Sequence, residues 1–295
     1  MLPDTTEVLI IGAGPTGMAL SIMLHQAGVD HVLIDKLAQG LQTSRAGVIH
    51  SQTLEALQPL GVTGRLDELA LKLQNFAIRD RNRALLNLDF GKLPSRHPYL
   101  LMLPQNLTEQ VFAERIAALG GVIHREVEAK AVVQDADGAR VTVVENGREK
   151  LISARYVVGA DGMNSLVRGA AGIEFDGAAY DGSFVLADVR LDWPVGPKEV
   201  SLFFAPAGLV VVAPLPDGSY RIVATMDDAP ESLRLPTSRR CSTAVGPPDS
   251  APGCSTWRGV RVFACITAWS GRIARTGCSS WAMPRTCTAR QGDRA

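Results

Sequence analysis

Val8-Leu9-Ile10-Ile11-Gly12-Ala13-Gly14-Pro15-Thr16-Gly17 is an apolar run that breaks into glycines. Val8, Ile10 and Ile11 are β-branched, so the run reads as a buried parallel strand. Gly12, Gly14 and Gly17 then fall in the G-x-G-x-x-G spacing. Gly12 permits a tight turn out of the strand. Gly14 has no Cβ, so backbone can approach a pyrophosphate, and Gly17 lets the following helix pack close to the sheet. Pro15 sits at the first helical position, where its φ is preset and its missing N–H costs nothing. The helix continues over 18–27, so its first amides and its dipole face the phosphates. A second strand, 31–34, ends in Asp35, about 20 residues past the glycines, where a carboxylate bonds adenosine ribose hydroxyls. Strand, glycines, helix, strand and acid in this order point to an α/β dinucleotide-binding domain.

The chain has 295 residues, enough for one large or two modest domains. Its formal net charge is zero and 46% of it is hydrophobic. That composition is globular and lacks the basic excess of a nucleic-acid surface. No apolar run approaches the ~20 residues of a membrane span. Asp4 and Glu7 stand where a signal peptide would be basic. The expectation is a cytoplasmic protein with no nucleic-acid partner and no membrane span. All five cysteines, Cys241, Cys254, Cys265, Cys278 and Cys287, lie late in the chain. They form no C-x-x-C pair and have no partnering histidine, which argues against zinc or any other metal. An odd number in a cytoplasmic chain also argues against a disulfide framework. The same tail contains no lysine, and its only acids are Asp249 and Asp293.

Beyond Asp35 comes a loop over 36–47 holding Thr43-Ser44-Arg45-Ala46-Gly47. Ser51 reads as the cap of a helix over 52–60, stopped by Gly61. Strands are expected over 72–79, 84–90 and 99–103. The last delivers Pro104-Gln105 and a helix for which Asn106 and Glu109 suggest a capping box. Gly120-Gly121 ends that helix. Strands over 122–124, 126–134 and 139–145 follow, with Asp137-Gly138 and Asn146-Gly147 as hairpin signals. The second hairpin leads to 150–152, and a separate return strand runs over 156–162 before a helix over 165–170. His50, His97 and His124 have no visible partner. From Phe175 onward, segments over 183–191, 199–204, 208–214 and 219–226 alternate or run apolar between prolines and glycines. They read as antiparallel strands of a second domain.

Three motifs together resemble the flavin-dependent aromatic hydroxylases, single-component monooxygenases that include phenol hydroxylase and para-hydroxybenzoate hydroxylase. They are the glycine fingerprint, the Arg45 loop with Gln105 opening a helix, and Gly159-Ala160-Asp161-Gly162-Met163-Asn164-Ser165-Leu166-Val167-Arg168. The resemblance covers about Glu7 to Asp228. It implies a Rossmann-like FAD-binding domain (1–70 and 105–172) with an inserted antiparallel substrate-binding sheet (71–104 and 173–237). It also implies bound FAD, reduction by NADH or NADPH, and hydroxylation of a phenolic ring by O2 through a C4a-hydroperoxyflavin. It assigns Gly12, Gly14, Pro15, Thr16 and Gly17 to the FAD pyrophosphate, and Asp35 with Lys36 to the adenosine ribose side. Arg45 would meet the phosphate or isoalloxazine side, and Gln105 the ribityl chain. Asp161 and Gly162 would lie near the pyrophosphate and the approach of the nicotinamide donor. No catalytic base is identifiable. The apolar sheet over 184–226 would suit an aromatic ring, although apolar strands are usually just core. A halogenase of related fold would show a W-x-W-x-I-P run, and Trp193-Pro194 stands without one. A dehydrogenase using NAD alone would leave the Asp161 motif unexplained.

The family's next landmark is a strand followed by G-D-A-A-H and P-x-x-G-Q-G, which closes the flavin ring side. It is absent. Read one base earlier, the codons implied by the tail restore it. Trp281 is TGG and Ala282 begins GC, so the straddling codon is GGC, glycine. Met283 is ATG and Pro284 begins CC, so the straddling codon is GCC, alanine. With GC-rich third bases the run from Cys278 becomes V-F-L-V-G-D-A-A-H-V-H-S-P-A-G-G-Q-G. The same shift between Phe263 and Gly277 gives R-V-H-H-R-V-V-G-P-Y-R, again family-like. The expectation is a frameshift near Thr237 or Ser238. The tail 238–295 would then be out of frame and poorly packed, with the C-terminal FAD-site segment missing. On this reading the chain is an impaired hydroxylase or a non-catalytic FAD-binding remnant of one.

Overall fold

The computed structural model describes residues 2–40, 47–80, 83–190, 195–205 and 208–226, and backbone strands at 256–269, 274–275, 278–280 and 287–290. Arg45, Trp193 and positions 237 and 238 lie outside the described residues. β1 (Thr5–Ile11), α1 (Pro15–Gln26) and β2 (His31–Ile34) form the expected opening unit. β1 and β2 pair in parallel, from Val8 opposite His31 to Ile11 opposite Ile34. The side chains of β1 alternate between two cores. Val8 and Ile10 pack with Met18, Ile22 and Phe112, whereas Leu9 and Ile11 pack with Val141 and Ile152. Both faces of the strand are covered, which is why 8–11 contain no polar residue.

β3 (Val48–Ile49), α2 (Ser51–Leu57), a 3₁₀ turn at Gln58–Leu60 and α3 (Thr63–Leu69) follow. His50, not Ser51, occupies the cap position of α2, and Ser51 Oγ donates to the Tyr99 carbonyl at 3.2 Å. The expected helix over 52–60 tightens after Leu57, where Pro59 cannot supply an α-helical N–H. Gly61 ends it with φ 73°. Next come β4 (Leu71–Leu73), β5 (Asn75–Asp80), β6 (Arg83–Asp89) and β7 (Leu100–Met102). β3, β7 and β4 form a three-stranded sheet that delivers Pro104 to α4 (Gln105–Ala118). Pro104 (φ −56°, ψ 137°) holds the cap position, so the helix already includes Asn106 and the expected capping box does not form. Glu109 turns into the interior instead and is 8% exposed. Nor is His97 alone: its Nδ1 lies 3.0 Å from the Tyr99 hydroxyl, which donates to Asp67 Oδ2 at 2.9 Å. Burial and that hydrogen bond push the Tyr99 phenol up to about 12, so it remains a protonated donor.

β8 (Ile123–His124), β9 (Val127–Gln134), β10 (Ala139–Glu145) and β11 (Arg148–Gly159) complete the first sheet's meander. β11 merges the two strands expected over 150–152 and 156–162, because Ser153, Ala154 and Arg155 contain no breaker. Its first half pairs antiparallel with β10, from Arg148 opposite Glu145 to Ala154 opposite Ala139. Its second half runs parallel to β1, from Ser153 opposite Thr5 to Gly159 opposite Ile11. α5 (Leu166–Ala170) starts at Ser165, whose Oγ accepts from the Arg168 N–H at 3.0 Å.

β12 (Asp176–Arg190), β13 (Glu199–Ala205), β14 (Gly208–Pro214) and β15 (Tyr220–Met226) form the second sheet with β5 and β6. The backbone of β16 (Thr256–Trp269) extends it along β12; β17 (Ala274–Arg275), β18 (Cys278–Ser280) and β19 (Cys287–Arg290) are shorter. The first sheet has the order β17-β18-β11-β1-β2-β8, and the second β19-β16-β12-β15-β14-β13-β5-β6. This is the α/β architecture expected from the sequence: a parallel dinucleotide sheet and a separate, largely antiparallel one. Arg79 on β5 and Glu199 on β13 tie strands 120 residues apart through bonds of 2.8 and 3.0 Å. No helix among the described residues is long and apolar enough to cross a membrane.

The helix–sheet contact at Gly17 tolerates no side chain. A Cβ there would lie 1.9 Å from the Gly12 carbonyl oxygen. Gly17→Val is therefore expected to cost about 3 kcal/mol, the upper range for overpacking a rigid core. Urea unfolding monitored by circular dichroism checks it.

Candidate dinucleotide-binding site

The ends of β1, β2 and β11 converge at one edge of the first sheet, and every fingerprint residue described sits there. Gly12 has φ +105°, and a Cβ on it would fall 2.3 Å from the Ala160 carbonyl oxygen. This is the tight turn, and it locks the end of β1 against the end of β11. A Cβ on Gly14, by contrast, would meet nothing within 4 Å. Space is open in front of the loop, where an extended ligand can reach backbone. α1 begins at Pro15, with Gly14 at its cap and no side-chain cap on its amides. Thr16 is half-buried beside it. The free N-terminal amides of a 12-residue helix thus border the open space.

Asp35 follows β2 and is turned toward the loop. Its Oδ2 accepts from the Ala13 N–H at 2.7 Å and its Oδ1 from the Leu37 N–H at 2.8 Å. The carboxylate therefore braces the glycine loop while standing at the rim of the site. Lys36 points to solvent. Gln105, the first residue of α4, donates from Nε2 to Glu109 Oε1 at 2.8 Å. A Cβ on Gly40 would lie 2.0 Å from Glu109 Oε2, so the loop after Asp35 packs directly on that carboxyl. Asp161 accepts from Ser165 Oγ (2.6 Å) and the Leu166 N–H (2.7 Å). It fastens α5 to the turn beneath Gly12. Gly162, with φ +78°, has no neighbour within 4 Å of an added Cβ.

Three charged residues here escape a reading of the sequence. Glu109 is buried, and burial raises its pKa against the opposing Gln105 hydrogen bond and the Arg125 charge. Arg125 brings Nη1 to 3.8 Å from Asp35 Oδ2. Arg221, 4% exposed on β15, holds Asp188 of β12 through two bonds of 2.8 Å. Its Nη1 lies 3.2 Å from where a Cβ of Gly47 would be, so the second sheet touches the end of the Arg45 loop. Arg125 and Arg221 sit in no motif, and Glu109 shows in the sequence only as part of a capping box that does not form. Each acquires its position from pairing between strands or from a helix packing on a loop.

A family model described as an FAD binding domain matches residues 5–246. The chain belongs to the FAD-binding domain family. It falls among that family's aromatic hydroxylases, and several of its relatives are named as monooxygenases. The 6-methylpretetramide 4-monooxygenase of Streptomyces rimosus is 32% identical over 83% of this chain and 45% of its own length. Pentachlorophenol 4-monooxygenase of Sphingobium chlorophenolicum is 32% identical over 73% of this chain and 41% of its own. The chain thus spans less than half of either relative. Its fold matches the crystal structure of p-nitrophenol 4-monooxygenase from Pseudomonas putida with a TM-score of 0.85, at 23% identity, over 94% of this chain and 72% of that one. The residues present fit the family's cofactor: Gly14 leaves open space at a helix N-terminus, and Asp35 stands at the ribose position of the fingerprint.

Two substitutions probe the site's buried charges. The pKa of Glu109 is higher folded than unfolded, so its contribution to stability is present at acid pH and lost as pH rises through the folded value. Glu109→Gln keeps an acceptor for Gln105 and should flatten the fall in stability as pH rises above the ordinary glutamate range, read by urea unfolding. Asp188→Ala removes the carboxylate facing a buried guanidinium and should cost about 3 kcal/mol in the same assay.

Proposed function

We propose that this chain carries the FAD-binding part of an NADH- or NADPH-using monooxygenase that inserts oxygen from O2 into a small phenolic substrate in the cytoplasm. The observation that carries the reading is the convergence of Gly12, Gly14, Gly17, Asp35 and Asp161 on one sheet edge in a member of the FAD-binding domain family. Aromatic monooxygenases among its relatives support the substrate class. FAD, when bound, supplies the redox chemistry and activates O2.

The chain's own residues bind, orient and shield. The N-terminal amides of α1, following Pro15 and including those of Thr16 and Gly17, donate to the pyrophosphate, and Gly14 lets it approach. Asp35 holds the adenosine ribose, with Lys36 at the solvent side. Gln105 exchanges its Glu109 contact for the ribityl chain. Asp161 and Gly162 shape the floor between pyrophosphate and the nicotinamide donor's approach, and Arg45 takes the phosphate or ring side. The domains divide at 1–70 and 105–172 for FAD and 71–104 and 173–237 for substrate. Arg221 couples them, because its guanidinium is paired on one sheet and touches the loop of the other. The apolar second sheet excludes water from an aromatic ring, a condition for transferring oxygen to substrate instead of losing it to solvent.

We infer further that residues 238–295 are read out of frame and that the ring-side G-D-A-A-H and P-x-x-G-Q-G segment is encoded in the shifted frame. Its absence removes a wall of the flavin pocket, so this chain binds FAD weakly and hydroxylates little. The alternative, a non-catalytic FAD-binding remnant, rests on the same adenosine half. Inserting one base between codons 237 and 238 should restore a yellow protein whose NAD(P)H oxidation is stimulated by a phenol. The chain as printed should show little of either. Coupled turnover by the printed chain overturns the frame reading, and a frame-restored protein that binds no flavin overturns the function.

A further inference from the structure

Among the described residues, two buried side-chain nitrogens have no hydrogen-bond partner: His97 Nε2 and Arg125 Nη1. The second lies in the candidate site. Arg125 occupies the link between β8 and β9, and the backbone around it is unusually constrained. The Asp35 N–H donates to the His124 carbonyl at 2.8 Å, and the Val127 N–H donates to the Asp35 carbonyl at 2.9 Å. The link is thereby fastened to the residue after β2 on both sides. Glu126, between the two clamps, has φ 58°. A non-glycine residue in that region is costly and persists where surrounding structure imposes it. Arg125, next to Glu126, reaches toward Asp35 at the end of β2.

There its guanidinium is underused. The nearest carboxylate oxygen is 3.8 Å away, beyond hydrogen-bond reach, and both Asp35 oxygens already accept backbone N–H groups. The Arg125 side chain is only 22% exposed. A buried cationic donor without an acceptor is a large standing cost, and a guanidinium cannot relieve it by losing its proton. A ligand at this end of a dinucleotide site can supply the missing acceptor. The fingerprint fixes which part of the ligand comes here, since the acid after β2 marks the adenosine end.

We propose that Arg125 binds the adenosine moiety of the cofactor, Nη1 donating to a ribose oxygen or an adenine ring nitrogen while the guanidinium charge steadies Asp35 for the ribose hydroxyls. The proposal rests on the FAD reading above. It concerns a residue outside every motif of the sequence, and it makes recognition of the adenosine depend on two elements, β2 and the β8–β9 link, instead of one.

Adenosine diphosphate and FMN separate the halves of the cofactor and test this on the full chain. Binding of each, and of FAD, is measured by isothermal titration calorimetry for the wild-type chain, Arg125→Met and Arg125→Lys, with thermal unfolding of each variant alongside. Arg125→Met should weaken FAD and adenosine diphosphate equally, by about tenfold or more, as expected for a hydrogen bond from a charged donor. Any binding of FMN should be unchanged, and Arg125→Lys should recover part of the loss. Loss of thermal stability with unchanged affinity for adenosine diphosphate would make Arg125 a packing residue and overturn the proposal while leaving the FAD reading intact. If the wild-type chain binds neither, the same variants are compared in the frame-restored chain, and a frame-restored chain that binds neither FAD nor adenosine diphosphate overturns both.

Discussion

The structure depends on one close approach, that of α1 at Gly17 to the Gly12 carbonyl oxygen, which leaves no room for a Cβ. It sets how near α1 lies to β1, and therefore where the helix's free amides point. The same loop is pinned from beneath, because Gly12 in its positive-φ conformation meets the backbone of Ala160 at the end of β11. Helix, first strand and return strand are thus fixed to one another without a side chain between them. Asp35 adds the third strand end by accepting from the Ala13 N–H. A phosphate-sized ligand meets a surface whose donors are already ordered, so little conformational entropy is lost on binding.

Charge completes the site. Asp35, Arg125 and Glu109 are gathered around the loop after β2, each largely withdrawn from water. Buried charge is retained only where partners compensate the desolvation. Asp35 is compensated by backbone N–H groups, and Glu109 only in part by Gln105 and the Arg125 charge, so burial still raises its pKa. The second sheet contributes a further buried pair, Arg221 with Asp188, against Gly47. That pair is the physical link between the sheet expected to receive an aromatic ring and the loop expected to meet the flavin.

Much of this was legible in the chain itself. The glycine spacing, Pro15 at the first turn of α1 and the acid after β2 are local features, since each requires only its own backbone geometry. The hairpins at Asp137-Gly138 and Asn146-Gly147 and the stop at Gly61 were equally readable, for the same reason. The misreadings are also local in origin. Asn106 and Glu109 have capping-box spacing, yet with Pro104 at the cap the helix starts two residues earlier and Glu109 is drawn inward. The segments around Ile152 and Val157 looked like separate strands because their partners differ, β10 for one and β1 for the other.

By itself the sequence determined the βαβ start, the dinucleotide fingerprint, the second sheet and the anomalous composition beyond residue 240. All of these follow from period, turn chemistry and codon arithmetic along a continuous stretch. Only the tertiary structure decided that Glu109, Arg125 and Arg221 belong to the site. Their placement comes from strand pairing and helix packing between residues 33 to 174 positions apart. No local preference encodes such a contact, because its energy is realised only when the chain has closed on itself.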